Sequence, residues 1–145
     1  VSRVPAPEAT GRRRYSVLLV EDHEMSGDML VRRLRRRGYQ VAWARDGAEG
    51  VAMAGALRPD LVIMDLNLPV LDGVAATERL KAAPETRGIP VIALTAHVTP
   101  EAERRCARAG VDGWEGKPVN FDRLLSRIEA MQQLSQRPSS TTGER

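Results

Sequence analysis

The sequence predicts an α/β protein built on one parallel sheet with helices on both faces. Three observations predict it. Short apolar runs suited to strands recur five times along the chain, segments of helical period separate them, and the runs Val17, Leu18, Leu19, Val20 and Leu61, Val62, Ile63, Met64 are apolar at every position. Strands buried on both faces read in that continuous way, and alternation of strand and helix is the pattern of a parallel sheet. The expected strand order is 2-1-3-4-5, the doubly wound arrangement whose ligands sit beyond the carboxyl ends of the strands.

The elements follow in order. Strands are expected over 17–20, 41–44, 61–64 and 91–94, with a short fifth strand around Trp114. Helices are expected over 25–37, 48–57, 73–82 and 100–108, and a last helix over 121–134 closes the domain. Leu30 and Leu34 lie one helical turn apart and Gly38 follows as a stop. Asp46 with Glu49 forms a variant of the capping box. Thr99 before Pro100 is an N-cap followed by a first-turn proline, and Asn120 suits the cap of the last helix. The architecture is the flavodoxin-like one, a five-stranded (βα)5 unit over 15–134. Residues 1–14, basic, and 135–145, polar, lack apolar periodicity and are rich in Pro, Ser, Thr, Gly and Arg, so both are expected to be disordered tails.

Composition narrows the function. A chain of 145 residues suits one domain, and 42% hydrophobic residues supply a single core. No apolar stretch approaches the roughly 20 residues of a membrane span, and the start lacks the apolar segment of a signal peptide, so no membrane role and a cytoplasmic location are expected. The single cysteine, Cys106, has no companion for a disulfide or a zinc site and is read as helix packing. The net charge of +3 is concentrated in Arg12, Arg13, Arg14 and in Arg32, Arg33, Arg35, Arg36, Arg37, the latter read as the solvated face of an amphipathic helix. With 3% aromatic residues there is little material for stacking on bases, and no direct binding of nucleic acid is expected.

The chemistry concentrates at the strand ends. Glu21 and Asp22 end the first apolar run and Asp65 ends the third, which brings three carboxylates to one edge of the proposed sheet. Clustered carboxylates repel, and the remedies are proton uptake or a hard divalent cation such as Mg²⁺. Thr95 ends the fourth strand and Lys117 follows the fifth at the same edge. A hydroxyl and an ammonium beside a metal-bound carboxylate suit a phosphoryl group. Taken singly, each residue has an ordinary reading: Glu21 and Asp22 as loop acids near a helix N-terminus, Asp65 as a turn residue before Pro69, Thr95 and Lys117 as structural or solvated groups. Four strand ends with complementary chemistry weigh against coincidence.

In Glu21-Asp22, Asp65 with Leu68-Pro69 and Asp72-Gly73, Thr95-Ala96 and Lys117-Pro118, the chain resembles the response-regulator receiver domains of bacterial two-component signalling, from about Tyr15 to Leu134. The single-domain regulators of chemotaxis and cell-cycle type are the nearest in character. The resemblance implies that Asp65 is the phosphoacceptor, that Asp22, Asp65 and the backbone carbonyl of Asn67 ligate Mg²⁺ with Glu21 acting through water, and that Lys117 and Thr95 bind phosphoryl oxygens. No organic cofactor is implied. It implies a histidine kinase or histidine phosphotransfer protein as donor, docking near the first helix and the loop around Lys117 to Asn120. A protein target would be switched through the fourth helix, fifth strand and fifth helix, including Arg104, Arg105, Arg108, Asp112 and Trp114, with dimerisation on phosphorylation as an option. Thr95 and Trp114 would form the switch. Trp114 stands where Tyr or Phe is usual, Glu115 and Gly116 lie in a segment usually apolar or small, and His97 lies where the family tunes access of water to the phosphoryl group.

Two other architectures share these features. One is a receiver cut from a hybrid histidine kinase or a longer transcriptional regulator, with the polar segment from Ser135 as a linker. The other is a Mg²⁺-dependent phosphohydrolase. Such enzymes place a second aspartate two residues beyond the nucleophile, and here that residue is Asn67. The chain is therefore read as a signalling protein that catalyses only its own phosphorylation and dephosphorylation.

Overall fold

A computed structural model describes residues 14–136. Five strands, β1 (Ser16–Val20), β2 (Gln40–Ala44), β3 (Leu61–Asp65), β4 (Val91–Thr95) and β5 (Gly113–Gly116), alternate with five helices, α1 (Glu24–Arg36), α2 (Gly47–Leu57), α3 (Gly73–Ala82), α4 (Pro100–Ala109) and α5 (Phe121–Gln136). All strand pairs are parallel and their order is β2-β1-β3-β4-β5, as the alternation predicts. Every residue of β3 and β4 is buried, so the central strands are covered on both faces.

Successive side chains of a strand point to opposite faces, and the core divides accordingly. Leu19, Ile63, Ile92 and Leu94 pack with Leu30 and Leu34 of α1 and with Leu124 and Ile128 of α5. Leu18, Val20, Val62 and Met64 form the other half with Ala54 of α2 and Ala76 and Leu80 of α3. Leu30 is 1% exposed; its replacement by alanine is worth about 2–5 kcal/mol at such a site.

The caps act as their sequences suggest. Gly38 has φ of 95° and passes its N–H to the Arg35 carbonyl, ending α1. Thr99 accepts from the Ala102 amide ahead of Pro100, and Asn120 accepts from the Arg123 amide. Asp46 accepts from the Glu49 amide, but Glu49 reaches back to the Arg45 amide rather than to that of Asp46, one residue beyond a standard box. Cys106 is buried in α4. The arginines of α1 are solvated as expected.

Element bounds shift by a residue or two from the sequence reading. The last helix runs to Gln136 rather than 134, because backbone bonding carries a helix past its last apolar contact. Asp112, exposed as a surface residue, also accepts from the Val91 amide and pairs with Lys81 at 3.1 Å, tying the connection before β5 to the start of β4. Among the described residues no helix is long and apolar enough to cross a membrane. Residues 1–13 and 137–145, nearly all of the two expected tails, lie outside the described residues.

Candidate functional site

The parallel register sets the site. Val20 pairs with Met64 and Asp65 with Leu94, so the chain leaves β1, β3 and β4 at one edge, where Glu21, Asp22, Asp65 and Thr95 lie. Carboxylate oxygens of Glu21, Asp22 and Asp65 lie within 4.8 Å of one another. Glu21 and Asp65 are each 1% exposed, whereas Asp22 faces solvent.

Lys117, just past β5, brings the cation. Its Nζ lies 3.1 Å from Asp65 Oδ2 and 3.6 Å from Glu21 Oε1. Asp65 Oδ1 accepts from the Asn67 amide at 3.1 Å, so the turn after β3 fixes the carboxylate. Asp72 caps α3 by accepting from the Ala75 amide. The glycine after it is required by space: a Cβ at Gly73 would lie 2.2 Å from the carbonyl oxygen of Asp65. The intervening loop turns through Val70, whose φ of 69° is spanned by a bond from the Leu71 N–H to the Pro69 carbonyl, a strained γ-turn for a β-branched residue.

One lysine balances three acids incompletely. The Glu21 carboxyl is pushed above its usual range, first by burial and then by the charge of Asp65, against the pull of the His23 amide and Lys117. Glu21 Oε2 accepts from the His23 N–H at 3.1 Å, while buried Oε1 has no hydrogen-bond partner among the described residues. An orphaned buried oxygen within an all-oxygen acidic cluster is the donor set of a hard divalent cation, so the residues present fit Mg²⁺.

Thr95 lies at the pocket but its hydroxyl is turned to the next loop. Oγ1 accepts from the His97 N–H at 3.0 Å and donates to the His97 carbonyl at 3.2 Å. A cavity of about 390 Å³ lined by Asn67, Thr95, His97 and Arg105 adjoins it. Trp114 is half-buried on β5. The residues predicted from the strand ends therefore converge, with the Thr95 hydroxyl engaged by His97 and Trp114 set back from the edge, opposite Ala93.

Three supporting groups escape a sequence reading. Trp43, on edge strand β2, donates its indole N–H to the Glu21 carbonyl at 2.9 Å. His23 caps α1, its Nδ1 accepting from the Ser26 amide. Glu115 is buried on β5 and bonded to Arg127 of α5, with Arg123 at 3.9 Å. The available signal for the first was Gly27, a glycine inside an otherwise regular helix, which usually has a packing reason.

The response regulator receiver domain family matches residues 17–129. The polar-differentiation response regulator DivK of Brucella anthropi is 35% identical over 115 residues, covering 79% of this chain and 94% of DivK. The receiver domain of a signal transduction histidine kinase from Syntrophus aciditrophicus superposes with a TM-score of 0.79 at 34% identity, covering 88% of this chain and 97% of that one. A receiver domain of a sensor histidine kinase from Pseudomonas aeruginosa, solved with a magnesium ion coordinated in its active-site cleft, gives 0.74 at 36% identity over 83% and 97%.

Proposed function

The chain belongs to the response-regulator receiver domains of two-component signalling, and on that premise we propose that it accepts a phosphoryl group on Asp65 and switches a protein–protein interaction. The observation that carries this is the buried Asp65 carboxylate, fixed by the Asn67 amide and paired with Lys117 inside a three-carboxylate cluster.

In the proposed reaction an Asp65 carboxylate oxygen attacks the phosphorus of a phosphohistidine. The new O–P bond forms as the donor's N–P bond breaks, and the departing imidazole takes up a proton. Lys117 neutralises a phosphoryl oxygen, and burial of Asp65 excludes competing water. Asp22, Asp65 and the Asn67 carbonyl would hold Mg²⁺, with Glu21 acting through water; when bound, the ion supplies charge neutralisation of the phosphoryl oxygens. Thr95 then exchanges its bonds to His97 for one to the phosphoryl group, and Trp114 follows on the face formed with α4 and α5. His97, two residues beyond Thr95, sets access of water to the phosphoryl group.

The donor, a histidine kinase or phosphotransfer protein, is proposed to dock on α1. Exposed Met25 and Met29 share a groove there with Arg32, Arg33 and Arg36, an apolar stripe beside a basic one. Charge reversal at Arg32 and Arg36 should slow transfer from the cognate donor and spare transfer from acetyl phosphate; equal slowing of both would remove α1 from the docking surface. A cytoplasmic location accords with a kinase donor.

The direct test is intact mass after incubation with Mg²⁺ and acetyl phosphate. One added phosphoryl group is expected, absent in Asp65→Ala and in the presence of chelator. An adduct that persists in Asp65→Ala would overturn the assignment. No adduct in a folded wild-type protein that also fails to bind beryllofluoride would overturn phosphorylation itself.

A further inference from the structure

We infer that Trp43, a residue outside the acidic cluster, positions Glu21 for cation binding. The inference rests on reading the cluster as a Mg²⁺ site. Glu21 lies one residue beyond the end of β1, where the Val20 to Ala44 register is the last ladder pair. Both polar groups of its main chain are nonetheless held by the edge strand. The Glu21 N–H donates to the Ala44 carbonyl at 3.0 Å, and the Glu21 carbonyl accepts from Trp43 Nε1 at 2.9 Å. With the main chain fixed on both sides, the carboxylate is presented to Asp22 and Asp65 by a rigid support rather than a free loop.

The surroundings of the indole fit that role. A Cβ on Gly27 of α1 would come within 2.0 Å of one ring atom of Trp43 and 2.4 Å of another, so only glycine admits the ring. Glycine inside a helix is less favourable than alanine, and this helix carries one where the indole is seated. The Arg45 guanidinium covers the ring at 3.8 Å and pairs with Glu24 in the first turn of α1 at 2.7 Å. Helix, edge strand and pocket are thus joined through one side chain. A neutral donor suits the position, since it adds no charge beside the carboxylates.

A packing role alone would affect stability without acting through Glu21, and a double-mutant cycle separates the two. Mg²⁺ affinity of the full chain is measured by calorimetric titration for wild type, Trp43→Phe, Glu21→Gln and the double variant. Trp43→Phe retains the aromatic packing and lacks the N–H. It is expected to weaken Mg²⁺ binding between about threefold and tenfold, the range of one hydrogen bond, and to have no further effect in the Glu21→Gln background. Gly27→Ala, which keeps every side chain and improves helix propensity, should weaken binding in the same direction by displacing the indole, and serves if the phenylalanine variant does not fold. Wild-type affinity within twofold in the folded single variants, or an equal loss from Trp43→Phe when Glu21→Gln is also present, would overturn the positioning role. Absence of Mg²⁺ binding by wild type would instead overturn the metal reading of the cluster, and this inference with it.

Discussion

The two edge strands of the sheet flank the same pocket and are secured by opposite means. β2, on the carboxylate side, is held by a neutral indole inserted over Gly27. β5, on the side of Lys117, has four residues with glycine at each end and is held by charge, through buried Glu115 and the arginines of α5. The difference follows from what each edge must carry. A cationic donor in place of the indole N–H would compete for the carboxylates, whereas the Arg45 guanidinium on the ring is answered by Glu24, and an unbalanced anion at Glu115 would compete for Lys117 two residues away. Glu115 comes with its own guanidinium groups, so its charge is answered locally.

This contrast predicts a graded series of effects. The largest is expected for Arg127→Ala, which leaves a 3% exposed carboxylate with only Arg123 near it. The loss should be about 2 kcal/mol in urea unfolding, below that of a fully buried pair because Arg127 is 42% exposed. Glu115→Ala should cost about 1 kcal/mol or less, since the freed arginines can turn to water. If the two losses were equal, the asymmetry between an orphaned anion and an orphaned cation would not govern β5. Trp43→Phe should cost about 1 kcal/mol on the opposite edge, independent of the β5 substitutions in the combined variants.

Glu21 sharpens the comparison through pH. Its carboxyl is held above the ordinary value of 4.5 in the folded protein, so folding favours the protonated form. The stability that this contributes is fully present below pH 4.5 and is lost as pH rises through the raised folded value. In chelator, Glu21→Gln should therefore melt a few degrees above wild type at neutral pH, with the gap closing on acidification. Saturating Mg²⁺ should reverse the order by binding the folded wild type more tightly. The smallest effect is that of salt: 1 M NaCl should narrow the Arg127→Ala difference by only a few tenths of a kcal/mol and leave that of Trp43→Phe unchanged.

The ends of β1, β3 and β4 were legible in the sequence because each of these strands is a continuous apolar run that stops at a polar residue, and parallel order brings those stops, with the end of the short β5, to one edge. Asp65, Glu21 and Lys117 were readable on that ground, as were the caps at Thr99 and Asn120, which depend on residues three apart. Trp43 was not, because its partner Glu21 is 22 residues away and its socket is the absence of a side chain at Gly27. Glu115 read as a misplaced charge on an apolar strand until α5 supplied its arginines. The Asp112 bond to the Val91 amide was not readable, because nothing local announces a bond to the start of the neighbouring strand. The direction of the Thr95 hydroxyl was beyond sequence altogether, since a side-chain rotation leaves no trace in residue order.

That hydroxyl has a practical consequence. The His97 main-chain proton is held by Thr95 Oγ1 in a loop otherwise open to water. Its exchange for deuterium depends on the rotamer of one neighbouring side chain, so a single amide resonance serves as a clock for the moment at which the threonine turns.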